Sequence, residues 1–153
     1  MSEPLDFTAM ANAHLDGFNQ AQGLRFTRVG VDHIEAYIEV GPQHLQAYGI
    51  VHGGVHAAMA ETLCSVGAAV TVLPQGRSAV GLDNHTSFLR AVREGTLYAA
   101  ARPVHRGRRT HVWSCEIRDE NARLVATSRV RIMVLEAGVE LAGAPATVRA
   151  AED

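Results

Sequence analysis

Residues 53–73 read GGVHAAMAETLCSVGAAVTVL, and this stretch decides the fold. It contains no proline, ends at Pro74-Gln75-Gly76, and is apolar around nearly its whole circumference. Small side chains recur along it, which allows other elements of the fold to approach its backbone closely. We therefore predict a long helix at about residues 53–73 that is buried on most of its faces.

Strand patterns lie on both sides of this helix. Two alternating segments, 24–29 and 34–40, precede it and are joined by a turn around Gly30 and Asp32. Four further strand patterns follow the helix, at 78–89, 95–105, 111–118 and 123–135. Consecutive strands with short turns predict an antiparallel sheet, and the helix must pack on one of its faces. The predicted class is α+β, with an antiparallel sheet wrapped around one long buried helix, which is the hotdog fold.

The chain length of 153 residues suits one domain. Apolar residues at helical spacing predict an N-terminal helical segment within residues 1–20. Residues 21–136 hold all the strand patterns and the long helix and form the predicted domain. The remainder, 137–153, is rich in Ala, Gly and Pro, so we expect a disordered tail there.

Composition excludes several classes of protein. The net charge of -2 offers no basic excess, so we expect no nucleic-acid partner and no membrane-surface partner. The first residues lack a signal-peptide pattern, and Glu61 interrupts the longest apolar run, so we expect a cytoplasmic protein. Cys64 and Cys115 lie in apolar segments and form no CxxC pair, which predicts buried free thiols. Large side chains expected mainly in the core are Trp113, Met59, Tyr48 and Phe88. Tyr48 and Phe88 are also candidates to line a ligand pocket, because they lie beside the segments that hold the candidate site residues.

Glu61 is the only charged residue between His56 and Arg77. A carboxylate on an apolar helix carries a large desolvation cost unless it is paired or neutralised. Such a group is either a functional acid or base, or an ordinary charge on one wet helix face. Composition alone leaves both interpretations open.

The helix start supplies a second candidate feature. His52-Gly53-Gly54 places two glycines where a loop enters the helix, and free N–H groups at the positive end of a helix dipole can bind an oxyanion. The alternative is a glycine-rich start that serves packing alone. Glu61 lies nine residues after His52, about 13 Å along the axis. One chain is therefore not expected to bring its own Glu61 and Gly53 onto one small carbonyl group, which predicts a site shared by at least a dimer.

The segment 46–54, QAYGIVHGG, followed by Ala60-Glu61-Thr62 and Ser65, resembles the signature of hotdog-fold acyl-CoA thioesterases. The similarity is greatest to the glutamate-using branch of 4-hydroxybenzoyl-CoA and 1,4-dihydroxy-2-naphthoyl-CoA thioesterases, which includes the phenylacetic-acid-degradation type. It continues through GLDNHTSF at 81–88 and then to Glu136, so that it covers residues 20–136.

The resemblance implies a role for each matching residue. Glu61 would be the catalytic carboxylate, as nucleophile or as general base toward water, and the Gly53 N–H would polarise the thioester carbonyl. Gln46 would orient substrate or water, His52 would support the loop or contact the thioester, and Ser65 would hydrogen-bond the carboxylate or the water. In this family two sheets pair side by side, Glu61 faces Gly53 of the partner, and two dimers commonly form a homotetramer.

Coenzyme A (CoA) would enter as part of the substrate, and no separate cofactor is expected. Arg106, Arg108, Arg109 and Thr110 form a basic turn, which is either a solvated hairpin tip or a grip on CoA phosphates. We favour phosphate binding by Arg108, Arg109 and Thr110, with Arg90 as a further candidate. His52 and His56 are four residues apart, but without HExxH or a third ligand we predict no metal site.

The predicted function is hydrolysis of an acyl-CoA, of aryl type such as hydroxybenzoyl, phenylacetyl or naphthoyl, in aromatic compound metabolism. The alternative is a non-catalytic hotdog module that binds acyl-CoA. A hotdog dehydratase or hydratase is a third possibility, but such enzymes usually place a His with Asp or Glu differently. The absence of G-x-S-x-G counts against an α/β-hydrolase.

Overall fold

The computed structural model describes residues 5–149. Its helices are α1 (Thr8–Ala13), α2 (Gly17–Ala21) and α3 (Gly53–Val72). Its strands are β1 (Arg25–Val29), β2 (Ile34–Glu39), β3 (Ser78–Phe88), β4 (Thr96–Arg106), β5 (Thr110–Arg118), β6 (Leu124–Leu135), β7 (Glu140–Leu141) and β8 (Ala144–Pro145). Short 3-10 turns at Pro42–His44 and Leu73–Gln75 lie before and after α3.

Six strands form one antiparallel sheet in the order β1-β2-β4-β5-β6-β3. Helix α3 packs on one face of this sheet and contacts β2, β3, β4, β5 and β6. The order of elements along the chain is the one that the sequence predicts. The predicted α+β hotdog architecture, with its sheet around one long helix, is therefore confirmed.

Alternation along the strands supplies the face that covers α3. In β5, His111, Trp113, Cys115 and Ile117 are buried, whereas the residues between them are half-buried or exposed. By length and composition the segment Gly53–Gln75 could cross a bilayer, in spite of Glu61. In this fold its apolar surface packs against five strands, so the helix is the core of the domain.

Both cysteines are free and buried, as the sequence predicts. Burial raises the pKa of the Cys115 thiol to about 12 and also raises the pKa of Cys64. Because the thiolate is the reactive form, neither side chain is an active nucleophile at neutral pH.

Two segments differ from the predictions. The N-terminal segment forms two short helices instead of one, because α1 ends at Ala13 and the backbone is extended at Asp16 (φ -118°, ψ 178°) before α2 begins. Gly17, the first residue of α2, has a left-handed φ of 52°. Within the expected disordered tail, residues 137–149 form a turn and the β7–β8 hairpin. The Ser78 hydroxyl donates to the Ala146 carbonyl there, and Arg149 pairs with Asp16 at 3.2 Å. The end of the predicted tail, 150–153, lies outside the described residues.

The backbone groups at the two edges of the sheet differ in their hydrogen bonding. At β1, the Asn12 side chain donates to the Phe26 carbonyl (2.9 Å) and accepts from the Phe26 N–H (3.0 Å). The Val29 N–H donates to the Thr8 hydroxyl at 2.8 Å. Strand β3 at the other edge has 11 residues and, within residues 5–149, its only strand partner is β6. One edge is thus capped inside the chain and the other is left open to pair.

Gly67 provides a direct test of how α3 is packed. A methyl group added at Gly67 would lie 2.5 Å from Cη2 of the fully buried Trp113. Alanine is favoured over glycine in a helix by about 1 kcal/mol, but overpacking a core costs about 1–3 kcal/mol. Because this contact is so short, we expect Gly67→Ala to lower the free energy of unfolding by about 1–2 kcal/mol, measured by urea denaturation at fixed protein concentration.

A double-mutant cycle with Trp113→Phe provides the control, since the smaller ring makes room for the methyl group. The double variant should lose clearly less stability than the sum of the two single variants. Strict additivity, or a more stable Gly67→Ala protein, would contradict this packing.

Candidate active site

A tight loop precedes the long helix. The Gln46 N–H donates to the Ile50 carbonyl at 2.9 Å, and the Gly49 N–H donates to the Gln46 carbonyl at 2.8 Å. Gly49 has a left-handed φ of 69°, which allows this turn. The Arg93 guanidinium braces the outside of the loop through the Tyr48 (2.8 Å) and Gly49 (3.2 Å) carbonyls. The loop therefore folds back on itself from Gln46 to Ile50, two residues before the N-cap His52 of α3.

His44 anchors this loop, and the sequence analysis did not single it out. Its ring is buried, its Nδ1 accepts from the Gly41 N–H at 2.9 Å, and its Nε2 donates to the Gln22 carbonyl at 2.8 Å. Its carbonyl accepts from the His52 N–H at 2.8 Å. No sequence signal distinguishes this histidine from an ordinary loop residue, because its partners are brought to it by the tertiary fold.

The start of α3 leaves one donor free. His52 is the N-cap residue, and its Nδ1 accepts from the Gly54 N–H at 2.8 Å. The Val55 N–H donates to the His52 carbonyl at 2.9 Å. Within the described chain, no hydrogen bond is made by the Gly53 N–H. This N–H, at the positive end of a 20-residue helix, can polarise a carbonyl oxygen.

A cleft of about 640 Å³ opens at this helix start, and Gln46, Gly53, His56, Phe88 and Arg90 are among its lining residues. The Phe88 ring lies over Gly53, where a Cβ atom would be 2.7 Å from Cζ. The His56 ring is 6.1 Å from the Phe88 ring, centroid to centroid. Desolvation by burial lowers the pKa of His56 to about 4, so its imidazole is neutral at pH 7. The cleft thus joins an aromatic wall to a free backbone donor.

The expectation for large side chains holds only in part. Met59 and Trp113 are fully buried in the core, as predicted. Tyr48 is 81% exposed and Phe88 is 59% exposed, so neither is a core residue of this chain. Tyr48 lies in the tight loop and Phe88 ends the open edge strand, and the sequence alone does not show either location.

Glu61 is half-buried and lies against β3 rather than in the cleft. The Ser65 hydroxyl donates to its Oε1 at 3.3 Å, and the Asn84 amide donates to its Oε2 at 3.1 Å. A Cβ atom at Gly81 would collide with Oε1, so a side chain at this position would displace the carboxylate from its place against β3. Both carboxylate oxygens are thus held by donors from the fold. Asn84 and Gly81 were not singled out as site residues by the sequence analysis.

The sequence-predicted residues therefore form two groups. Gln46, His52, Gly53 and Arg90 border the cleft, whereas Glu61 and Ser65 do not. Because α3 is continuous, Gly53 and Glu61 are separated by about 12 Å along its axis. Within one chain, the residues that border the cleft and the residues around Glu61 are therefore two separate parts of the candidate site.

The residues predicted to bind CoA also lie in two places, near opposite ends of β3. Arg108 and Arg109 are exposed at the β4–β5 hairpin tip, with Thr110 beside them, near the first residues of β3. Arg90 lies past the last residue of β3, about 30 Å away along an 11-residue strand. Arg106 is engaged elsewhere, with Asp32 at 2.6 Å.

Possible metal ligands do not cluster in this structure. Across residues 5–149, no three His, Cys, Asp or Glu side chains come close enough together to hold a metal ion. In particular, His52 Nδ1 is occupied by the helix cap and His56 is buried in the neutral form.

Comparisons with known proteins place the chain in one family. The thioesterase superfamily profile matches residues 48–126. The 1,4-dihydroxy-2-naphthoyl-CoA hydrolase of Escherichia coli is 34% identical over 127 residues, which are 83% of this chain and 90% of that protein. The proofreading thioesterase EntH of Cronobacter sakazakii is 37% identical over 113 residues, 74% of this chain and 82% of that protein.

A solved thioesterase structure from Haemophilus influenzae is similar over most of its length. It superposes with a TM-score of 0.78 at 34% identity, covering 84% of this chain and 90% of that one. The resemblance drawn from residues 20–136 is confirmed by these matches. The chain is a thioester hydrolase that belongs to the thioesterase superfamily and has the hotdog fold.

Proposed function

We propose that this protein hydrolyses acyl-CoA thioesters at a site built from two subunits, with Glu61 from one and Gly53 and Gln46 from the other. The observation that supports this proposal is the separation of Gly53 from Glu61 along one continuous helix, α3. Glu61 is about 12 Å from the free Gly53 N–H, a distance too long for both to act on one thioester carbonyl. Each half is nevertheless ordered within its own chain, the first by the His52 cap on Gly54 and the second by the donors from Ser65 and Asn84.

The open β3 edge supports this arrangement. Gly81 and Asn84 of β3 touch Glu61, whereas Phe88 at the end of the same strand lies over Gly53. Pairing two copies of β3 antiparallel reverses the strand direction, which brings the Phe88 end of one subunit beside the Glu61 region of the other. Self-pairing would also satisfy the unpaired backbone groups of an 11-residue edge strand.

The same pairing accounts for the divided CoA candidates. Arg108 and Arg109 lie near the start of β3 in one subunit, next to where the Phe88 end of the partner would lie. In the dimer these guanidinium groups would stand at the rim of the partner's cleft, suited to the phosphates of CoA. We propose that two such dimers associate into a homotetramer in the cytoplasm and that no cofactor is needed.

In the proposed reaction the thioester oxygen accepts a hydrogen bond from Gly53 N–H, and the free amide nitrogen of Gln46 donates to substrate or water. Gln46 lines the cleft, and because its Oε1 already accepts from the Tyr48 N–H, its amide nitrogen is the group left to donate. Glu61 acts by one of two routes. As nucleophile, it forms a mixed anhydride and expels CoA thiolate, and water then cleaves the anhydride. As general base, it takes a proton from water, whose oxygen attacks the carbonyl carbon and expels the thiolate.

We propose an aryl group as the acyl part of the substrate. The cleft presents the exposed Phe88 ring and the neutral His56 ring, and aromatic groups stack well on such surfaces. The Escherichia coli relative is named for a naphthoyl-CoA substrate. Because thioester carbonyls are reactive, one carboxylate and one oxyanion donor suffice without a catalytic triad.

Replacing the carboxylate tests the reaction itself. Purified protein should release CoA from benzoyl-, phenylacetyl- or naphthoyl-type thioesters, and Glu61→Gln should lower kcat by about 100-fold or more because the nucleophile or base is lost. The measurement is thiol release with a colorimetric reagent. Glu116→Gln, at an exposed position of β5, is the matched control and should retain wild-type turnover. Undiminished turnover in Glu61→Gln, or binding of aryl-CoA without hydrolysis by the wild type, would contradict the proposal.

Mixing two inactive variants tests the shared site. Glu61→Gln and Gln46→Ala damage different halves, so a mixed dimer carries one doubly damaged site and one intact site. Random subunit exchange should restore about a quarter of wild-type activity, measured after mild dissociation and reassociation. If each site belonged to one chain, the mixture would stay as inactive as its parts.

The hairpin tip tests phosphate recognition. Replacing both Arg108 and Arg109 by alanine should raise KM for the CoA thioester about tenfold or more at low salt, because charge-assisted hydrogen bonds are lost. The KM for the matching pantetheine thioester, which lacks the nucleotide phosphates, should not change. Arg129→Ala, exposed on β6, is the control. An unchanged KM for the CoA substrate in the double variant would show that the hairpin tip does not bind the CoA phosphates.

A further inference from the structure

A chain of four polar side chains runs from β6 through β3 to Glu61. Ser128 on β6 and Thr86 on β3 are cross-strand partners, and their hydroxyl oxygens are 2.8 Å apart. The Thr86 hydroxyl donates to Asn84 Oδ1 at 2.7 Å. The Asn84 amide nitrogen then donates to the Ala57 carbonyl at 2.9 Å and to Glu61 Oε2 at 3.1 Å.

The hydrogen bonds in this chain have one direction. The Ala57 carbonyl can only accept, so the Asn84 NH₂ group must face α3, and its Oδ1 must face Thr86. The Thr86 hydroxyl donates its single proton to Asn84 Oδ1. At the Thr86–Ser128 contact the Ser128 hydroxyl must therefore be the donor. Turning the amide over would set its oxygen against two acceptors, Ala57 O and Glu61. The fold therefore always presents an N–H donor to the carboxylate.

A β-bulge places Asn84 in this position. Gly81 pairs with Ile132 and Asp83 pairs with Arg131, so Leu82 is an extra residue in β3. Side chains of a regular strand alternate, and residues 81 and 84 would point to opposite faces. Because of the bulge, both Gly81 and Asn84 face Glu61.

We propose that Asn84, oriented by Thr86 and Ser128, is a positioning residue that holds the Glu61 carboxylate in one rotamer during catalysis. This inference rests on the proposed role of Glu61. A hydrogen bond donated to a carboxylate favours the charged form, and only the charged form can attack a carbonyl or accept a proton from water. Ser65 holds the other oxygen, so the carboxylate plane is fixed from two sides.

The other ionisable groups near Glu61 are either protonated, paired with another residue or exposed to solvent. On its own helix the neighbour is Cys64, whose pKa is raised, chiefly by burial, and which therefore stays protonated. On β3, Asp83 is paired with Arg131 at 2.7 Å, and His85 is exposed. Among the described residues, the side chains that donate hydrogen bonds to Glu61 are therefore Ser65 and Asn84.

The test compares the pH dependence of kcat/KM in variants of the polar chain, with an aryl-CoA substrate. Asn84→Ala removes the donor, so kcat should fall about tenfold to hundredfold, KM should change little, and the acid limb should move to higher pH. Asn84→Asp should move the acid limb further in the same direction, because it sets a second carboxylate beside the first.

Thr86 supplies a matched pair that leaves Glu61 and its donor in place. Thr86→Val keeps the shape of the side chain but leaves Asn84 Oδ1 without its donor, so the amide is held less rigidly against Glu61. It should lower kcat and move the acid limb to higher pH, though less than Asn84→Ala. Thr86→Ser keeps the hydroxyl and should restore wild-type values. This pair remains informative if the Asn84 variants do not fold, as judged by circular dichroism and size-exclusion chromatography.

Two results would overturn the inference. One is folded Asn84 or Thr86→Val protein with wild-type kcat and an unmoved acid limb. The other is a lower kcat with an unmoved acid limb, which would make Asn84 only a structural link to Ala57. A failure of the proposed function is distinguishable, because it would appear as turnover in Glu61→Gln whatever the Asn84 variants do.

Discussion

The close packing of α3 against the sheet is the constraint on which the rest of the structure depends. Trp113 lies where a side chain on Gly67 would be, so the helix and β5 approach at a distance that only glycine permits. A helix held on this surface has a fixed axial position relative to β3. Gly53 and Glu61 are therefore placed at two defined points along the same strand, near Phe88 and near Gly81.

The rigid packing of α3 keeps Gly53 and Glu61 apart within one chain. It also holds both residues beside the edge strand β3, through which we propose that two subunits pair. A continuous α-helix cannot bend to bring residues 53 and 61 together, so in the proposed reaction the thioester carbonyl takes these groups from two molecules. Strand β3 runs beside both halves and has one unpaired edge, whereas Asn12 and Thr8 cap the opposite edge at β1. The asymmetry of the two edges favours dimerisation through β3 over any pairing through β1.

The electrostatic arrangement follows from the same framework. At the cleft, the helix dipole and the free Gly53 N–H offer partial positive charge to an oxygen that becomes negative in the reaction. At β3, donors from Ser65 and Asn84 stabilise a carboxylate that is half withdrawn from water. Each charge that the reaction requires is thus matched by a preorganised partner, and neither half depends on a metal ion in the mechanism proposed here.

The sequence by itself determined the fold, because hydrophobic periodicity and turn residues are local: the long apolar helix, the six main strands and the thioesterase resemblance of Glu61, Gly53, Gln46, His52 and Ser65 are all visible in it. Tertiary structure alone decided what depends on contacts between distant segments. It divided the N-terminal helical segment between Ala13 and Gly17, exposed Tyr48 and Phe88, and buried His44 among backbone partners. It also turned Asn84 toward Glu61, because a bulge at Leu82 reverses the alternation of β3, and that bulge is defined only by the pairing of β3 with the distant strand β6.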